Sequence, residues 1–194
     1  PNYKTFDLTS LRYMSGGGAA MPHAVAERLQ TEFGLTFAEG YGLTEASPVV
    51  CCAPLLEDST KVRSMSIGQP LPGTDIRFVD VDSGEIVPLG ERGELQVKGP
   101  QVMLGYLNRQ EETDKVLKDG WLYTGDIARM DEQGFFYIVD RKKDMIIVSG
   151  FNVYPNEIEE VVAMSDKVLE VAAVGVPNEA TGEAVKLFIV KKDA

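Results

Sequence analysis

The amino-acid sequence predicts an α/β and β fold in three stretches: a βαβ-like unit, an antiparallel β-barrel-like region, and the start of a small α+β domain. Three observations carry this reading. Val25, Leu29 and Phe33 recur at helical spacing and form one apolar stripe between two short extended segments. Ile76, Phe78, Leu95 and Val97 alternate with polar residues, and turn residues separate such runs from Gly68 to Val139. The charged run Asp140-Arg141-Lys142-Lys143-Asp144 then interrupts the chain, and a strand, a helix and two strands follow.

In chain order, Leu11-Arg12-Tyr13-Met14 reads as a short strand and Gly16-Gly17-Gly18 as a backbone turn. Pro22 suits the first turn of a helix, and Gly34 suits its left-handed cap. Leu35-Thr36-Phe37 resumes extended chain, and Cys52 to Ser66 is a polar connection. In the β region a helix is expected from about Gln110 to Leu117. Ile127 to Met130 and Phe135 to Val139 flank Asp131-Glu132-Gln133-Gly134 as a hairpin. Asp140 to Asp144 is too charged for a core strand, so the domain boundary falls there, dividing residues 1–140 from 141–194. Beyond it come a strand (Met145 to Val148), the loop Ser149-Gly150, and a helix from about Asn156 to Met164 with Ile158, Val161 and Val162 on one face. Two strands, Val168 to Val174 and Val185 to Val190, end the pattern.

Composition narrows the function classes. The 194 residues are 44% hydrophobic and 25% charged, enough for a packed core. A net charge of −11 argues against nucleic acid, whose phosphate backbone needs a basic surface. The adjacent pair Cys51 and Cys52 offers no disulfide framework, in keeping with a reducing compartment. No apolar run reaches the roughly 18 residues of a membrane span, and Pro1 to Ser10 does not read as a signal peptide. The expected location is the cytoplasm.

Several residue groups could carry chemistry. His23 stands alone, so neither a histidine metal cluster nor a hydrolase triad is expected. No Gly-x-x-x-x-Gly-Lys loop occurs. Ser15-Gly16-Gly17-Gly18-Ala19 is either a tight turn or a loop that lets a ligand approach the backbone. Its dinucleotide version fails at Met21. In Glu39-Gly40-Tyr41-Gly42-Leu43-Thr44-Glu45, thin backbone flanks an aromatic ring that can stack on a base, with a hydroxyl and a hard oxygen ligand beyond it. Read without a ligand, it is a surface turn. Asp126, placed just before a strand in Tyr123-Thr124-Gly125-Asp126, either accepts hydrogen bonds from ribose hydroxyls or caps a turn.

Taken together, Gly16-Gly17-Gly18-Ala19, Tyr41-Gly42-Leu43-Thr44-Glu45, Gly93-Glu94-Leu95, Tyr123-Thr124-Gly125-Asp126, Asp140-Arg141 and Gly150 resemble, in order and spacing, the adenylate-forming superfamily. Gly99 to Tyr106 and Asp140 to Glu159 are similar to bacterial long-chain fatty acyl-CoA ligases in particular. The resemblance implies the end of a large adenylation domain followed by the start of a small lid domain. It further implies that Gly17, Gly18 and Ala19 line an adenine pocket, and that Glu39, Gly40, Tyr41 and Gly42 border adenine and the acyl group. Thr44 would touch phosphate and Glu45 would hold magnesium, the two catalytic assignments. Asp126 and Arg141 would bind ribose, Lys143 would be a hinge, and Ser149 and Gly150 would lie by the pantetheine channel.

The implied activity is ATP-dependent formation of an acyl-adenylate and pyrophosphate, then thioester transfer to coenzyme A with release of AMP. The implied ligands are ATP, Mg2+, coenzyme A and a long-chain fatty acid, with peripheral contact at the inner face of the membrane left open. Oligomeric state is not legible. The family's phosphate loop is expected upstream and its lid lysine downstream, so the chain reads as a fragment, inactive by itself. Some relatives carry a lysine where this chain has Ile147, and its role does not transfer. The alternatives are a ligase that loads a carrier protein, a dinucleotide-binding oxidoreductase resting on the glycine turn, and a non-enzymatic binding module.

Overall fold

A computed structural model describes residues 5–11, 13–18, 21, 23–35, 37–54 and 62–192. The chain divides into two compact units: Pro1–Arg77, Gln96–Tyr123 and Met130–Tyr137 in the first, Phe78–Leu95, Thr124–Arg129 and Ile138–Ala194 in the second. The fold class is α/β and β, with strands outnumbering helices.

In the first unit, strand β1 (Met14–Gly17) is followed by helix α1 (His23–Phe33) and strand β2 (Phe37–Gly42). β1 and β2 pair in parallel, Gly16 opposite Glu39 and Gly17 opposite Gly40, so the expected βαβ unit forms. Gly34 ends α1 at φ +68°, donating its N–H to Gln30 O at 2.9 Å. Pro22, the expected first helical residue, lies outside the described residues. Ala26, Leu29 and Phe33 form the inward stripe, while Val25 is 42% exposed. The expected stripe is therefore one residue out of phase at its start, where Ala26 rather than Val25 turns inward.

Strands β3 (Val49–Cys52) and β4 (Gln69–Pro70) complete the sheet in the order β1-β2-β3-β4. Buried Ala38, Val50, Cys51 and Ile67 belong to this unit's core. The remaining strands of the β region are β5 (Asp75–Val79), β6 (Gly93–Lys98), β7 (Leu117–Lys118), β8 (Trp121–Met130) and β9 (Phe136–Arg141). Their order is β5-β6-β8-β7, with β9 paired to β8. Helix α2 (Gln110–Val116) stands where the sequence placed it. The β8–β9 hairpin turns at Asp131, whose N–H donates to Phe135 O at 2.9 Å.

β6 departs from the alternating expectation, because all of Gly93 to Val97 is buried. The side-chain oxygens of Glu94 and Gln96 have donors, whereas Gln96 Nε2 is buried without a hydrogen-bond partner among the described residues. Gln96 accepts from Arg77 Nε at 2.8 Å, and Glu94 accepts from the Gly125 N–H at 3.2 Å. Fully burying Leu95, which has no exposed surface, stabilises the fold by about 1.5–3 kcal/mol.

In the second unit, strands β10 (Ile146–Val148), β11 (Phe151–Val153), β12 (Val168–Asn178) and β13 (Gly182–Lys191) form an antiparallel sheet in the order β11-β10-β13-β12, with helix α3 (Pro155–Ala163) on β12. β11 was not anticipated. Ser149 at φ +51° and Gly150 at φ +83° make a two-residue turn of the kind that matches strand twist, and it brings Phe151 back opposite Val148. Ile158 and Val162 face inward on α3, whereas Val161 is 66% exposed.

The charged run also differs from expectation. Asp140 and Arg141 end β9, and Asp140 is buried. Its carboxylate accepts the backbone N–H of Arg141 at 2.8 Å and of Asn156 at 3.0 Å. It thereby serves the N-terminus of α3, whose own cap residue Tyr154 supplies no side-chain hydrogen bond.

Candidate functional site

The first unit holds the glycine and Tyr-Gly-Leu-Thr-Glu motifs. Gly16 and Gly17 are strand residues, contrary to the expected turn, and the chain turns at Gly18 with φ +86°. Close approach selects the first two glycines. A Cβ on Gly16 would sit 2.8 Å from the Phe37 ring, and one on Gly17 would sit 2.6 Å from Gly40 O. Ala19 lies outside the described residues. β2 carries Glu39, Gly40, Tyr41 and Gly42. Glu39 is buried, and its carboxylate accepts the Met21 N–H at 3.4 Å. Burial pushes its carboxyl above the ordinary value, and that hydrogen bond opposes the shift.

Thr44 and Glu45 lie in a single helical turn, Thr44–Ala46, immediately after β2. Gly42 can have no side chain there, because Pro48 O occupies the space. Thr44 is exposed and Glu45 half-buried. The segment after β6 holds Glu45 at both ends. Met103 N–H donates to Glu45 O at 2.7 Å, and Tyr106 OH donates to Glu45 Oε1 at 2.6 Å. That bond to a carboxylate pushes the Tyr106 hydroxyl up to about 12.

In the second unit, Asp126 lies inside β8, not before a strand as expected. Gly125 departs from strand geometry at φ +74°. Around it Thr124 Oγ1 donates to Leu95 O at 2.7 Å and accepts the Asp126 N–H at 3.1 Å. Gly125 gives its N–H to Glu94 Oε1 and receives the Lys142 N–H at 2.8 Å. Lys142 Nζ donates to Glu94 Oε2 at 2.9 Å. The backbone on both sides of Asp126 is therefore fixed. Arg141 Nε stands 4.0 Å from Asp126 Oδ1, so this predicted pair is brought together.

Lys143 lies in the exposed turn after β9, closed by the Asp144 N–H to Arg141 O at 3.0 Å. Ser149 and Gly150 form the β10–β11 turn, and Ser149 N–H donates to Thr181 O at 2.8 Å.

Sequence reasoning missed Tyr106, Glu94 and Lys142 as parts of these arrangements. Glu94 and Tyr106 stand in the Gly93-Glu94-Leu95 and Gly105-Tyr106 segments, but their partners lie 48 and 61 residues away. Among the described residues no three His, Cys, Asp or Glu side chains gather as a metal cage. One carboxylate, Glu45, with Oε2 free of hydrogen bonds among the described residues, fits a magnesium ion carried on polyphosphate. Such ions keep waters and take one or two carboxylates besides the phosphates. Nor is any described helix long and apolar enough to cross a membrane.

A family profile described as AMP-binding enzyme matches residues 1–107, and one described as AMP-binding enzyme C-terminal domain matches residues 157–194. The chain is 62% identical over 188 residues to the Long-chain-fatty-acid–CoA ligase of Yersinia pestis, covering 97% of this chain and 33% of that protein. It is 44% identical over 193 residues to the feruloyl-CoA synthase of Amycolatopsis sp, covering 100% of this chain and 38% of that protein. Among solved structures, ATP-bound MatB from Rhodopseudomonas palustris is 35% identical with a TM-score of 0.86, over 93% of this chain and 35% of that one. The chain spans about a third of the length of the curated relatives it matches.

Proposed function

Because the chain belongs to the family of AMP-binding enzymes, whose profile matches more than half of it, we propose that the protein carrying it is a long-chain fatty acid–CoA ligase. The observation that carries this reading is the 62% identity, over 97% of the chain, to a protein of that name. In the first half-reaction a fatty acid carboxylate oxygen attacks the α-phosphorus of ATP. The bond to the bridging oxygen breaks, and pyrophosphate leaves with its electron pair. In the second, the coenzyme A thiolate attacks the acyl carbon and AMP leaves, forming the thioester.

No protein nucleophile is needed, so the residues act by positioning and by stabilising charge. Gly17, Gly18 and Ala19 line the adenine pocket, where a side chain on Gly17 would have no room. Glu39, Gly40, Tyr41 and Gly42 border adenine and the acyl group, with Tyr41 stacking on the base. Thr44 donates to phosphate, and Glu45 is the protein ligand of magnesium. The ion, when bound, neutralises phosphate charge. Asp126 accepts from the ribose hydroxyls with Arg141 beside it, supported by their 4.0 Å separation. Ser149 and Gly150 border the pantetheine channel. Lys143 is the hinge between domains divided at residues 140 and 141. The location is cytoplasmic, with fatty acid reached at the inner face of the membrane.

ATP–pyrophosphate exchange by the full-length protein tests this reading. Exchange should depend on long-chain fatty acids and be absent with amino acids. Exchange with ferulate alone would move the substrate to an aromatic acid. Exchange with amino acids alone would make the protein a carrier-loading activator.

A further inference from the structure

We infer that Tyr106 is a positioning residue, whose hydroxyl ties down Glu45 Oε1 so that Oε2 is presented to a phosphate-bound divalent cation. The inference rests on the proposed role of Glu45 as the metal ligand. Its starting point is the 2.6 Å bond from the phenol, a charge-assisted contact at the short end of its range. A glutamate on a one-turn helix has free side-chain torsions, and a single ligand of that kind wanders unless something fixes it. Here the Met103 N–H fixes the main chain of Glu45 and Tyr106 fixes one carboxylate oxygen. Oε2 accepts no hydrogen bond among the described residues.

Tyr106 is itself held. Its N–H donates to Thr113 Oγ1 at 2.9 Å, and that hydroxyl donates to Arg109 O at 2.9 Å. Thr113 is buried on α2, and the Arg109 N–H returns to Tyr106 O at 3.1 Å. Gly105, at φ +148°, lets the chain pass against Thr113, whose Cγ2 would lie 2.9 Å from any Cβ there. The first turn of α2 thus fixes Tyr106, and Tyr106 fixes Glu45. Partners of this outer kind set ligand orientation at metal sites, and their loss commonly weakens metal affinity by about tenfold or more.

The test is Mn2+ titration of the full-length protein with a non-hydrolysable ATP analogue bound, free Mn2+ being read by electron paramagnetic resonance. Tyr106→Phe should weaken Mn2+ binding about tenfold, while analogue affinity in chelator stays unchanged. Glu45→Gln should weaken it at least as much. Wild-type Mn2+ affinity in Tyr106→Phe, with Glu45→Gln impaired, overturns the role of Tyr106 alone. Wild-type affinity in both variants removes Glu45 from the metal site and this inference with it. Thr113→Val keeps the phenol but frees its backbone, and should weaken Mn2+ binding by a smaller factor. If Tyr106→Phe does not fold, wild-type affinity in Thr113→Val overturns the proposal.

Discussion

Lys142 Nζ donates to Glu94 Oε2 at 2.9 Å, and the same glutamate accepts the Gly125 N–H through Oε1. The Glu94 side chain is 7% exposed, while that of Lys142 is 43% exposed. The acid end therefore depends on its partner more than the base end does. Removing the ammonium leaves a buried carboxylate whose remaining donor among the described residues is the Gly125 N–H. Lys142→Met should lower unfolding free energy by about 1–2 kcal/mol, discounted for the exposure of the lysine end. Urea denaturation measures this, and a loss within error of zero would mean that water compensates Glu94 fully.

Gly17 and Gly18 are adjacent glycines kept for different reasons, and alanine separates them. At Gly17 the obstacle is Gly40 O in a paired strand, 2.6 Å from the new Cβ, so the strands must part. At Gly18 no described residue beyond its chain neighbours stands within 4 Å of the new Cβ, and φ +86° is what resists. Gly18→Ala should cost about 1–2 kcal/mol and Gly17→Ala about 3 kcal/mol or more. Equal losses in chemical denaturation would contradict the strand register.

Glu39 gives a pH dependence with a definite sign. Its carboxyl is raised by burial above the ordinary 4.5. As pH rises past that value, the unfolded chain releases its proton first and the folded chain holds it longer. The stability linked to neutral Glu39 is complete below the unfolded value and is lost as pH rises through the folded one. Glu39→Gln stays neutral and keeps an acceptor for the Met21 N–H. It should match wild type near pH 4 and exceed it near neutral pH. No gain at neutral pH would show that the carboxylate is already well solvated.

Asp126→Ala in the full-length protein should weaken ATP binding by about 1.5–3 kcal/mol, the loss of a charge-assisted ribose contact. Calorimetry that finds unchanged affinity would take Asp126 out of the nucleotide site.

Lys143→Pro bears on the proposed hinge. Proline fixes φ near −65° and removes an N–H, so one conformation of this exposed turn should persist. Pyrophosphate exchange and acyl-CoA formation should then fall by different factors. Equal loss of both in a folded protein would reduce residue 143 to a structural turn.

Local patterns were legible wherever local forces decide. α2 stands at its expected place because Gln110, Glu111, Glu112 and Lys115 favour helix and put acids in its first turn and a base in its last, and the Asp131 turn closes by bonds within its own few residues. Partners far apart in sequence were not legible. Glu94 and Gln96 looked solvent-facing in an alternating strand, yet both are buried, with Lys142 and Arg77 donating to their side-chain oxygens and Gln96 Nε2 left unpaired among the described residues. Asp140 looked like a solvated linker residue until α3 brought the Asn156 N–H to it. The same applies to the candidate site. Glu45 and Asp126 stand out as residue types in a pattern, whereas what orients them comes from segments that only the folded chain brings near. Val25 and Val161 show a further limit, since apolar identity at helical spacing does not say which neighbour turns inward.

Cys51 and Cys52 are consecutive on β3 and point to opposite faces of the sheet. Cys51 is fully buried, and burial pushes its thiol far up, so it yields little thiolate. Cys52 is exposed and pairs across the strands with Gly40. A maleimide dye or spin label added to the folded protein will therefore attach at Cys52 and spare Cys51. The reporter then stands on the strand beside Tyr41, where fluorescence or spin mobility reads the state of β2 in this chain.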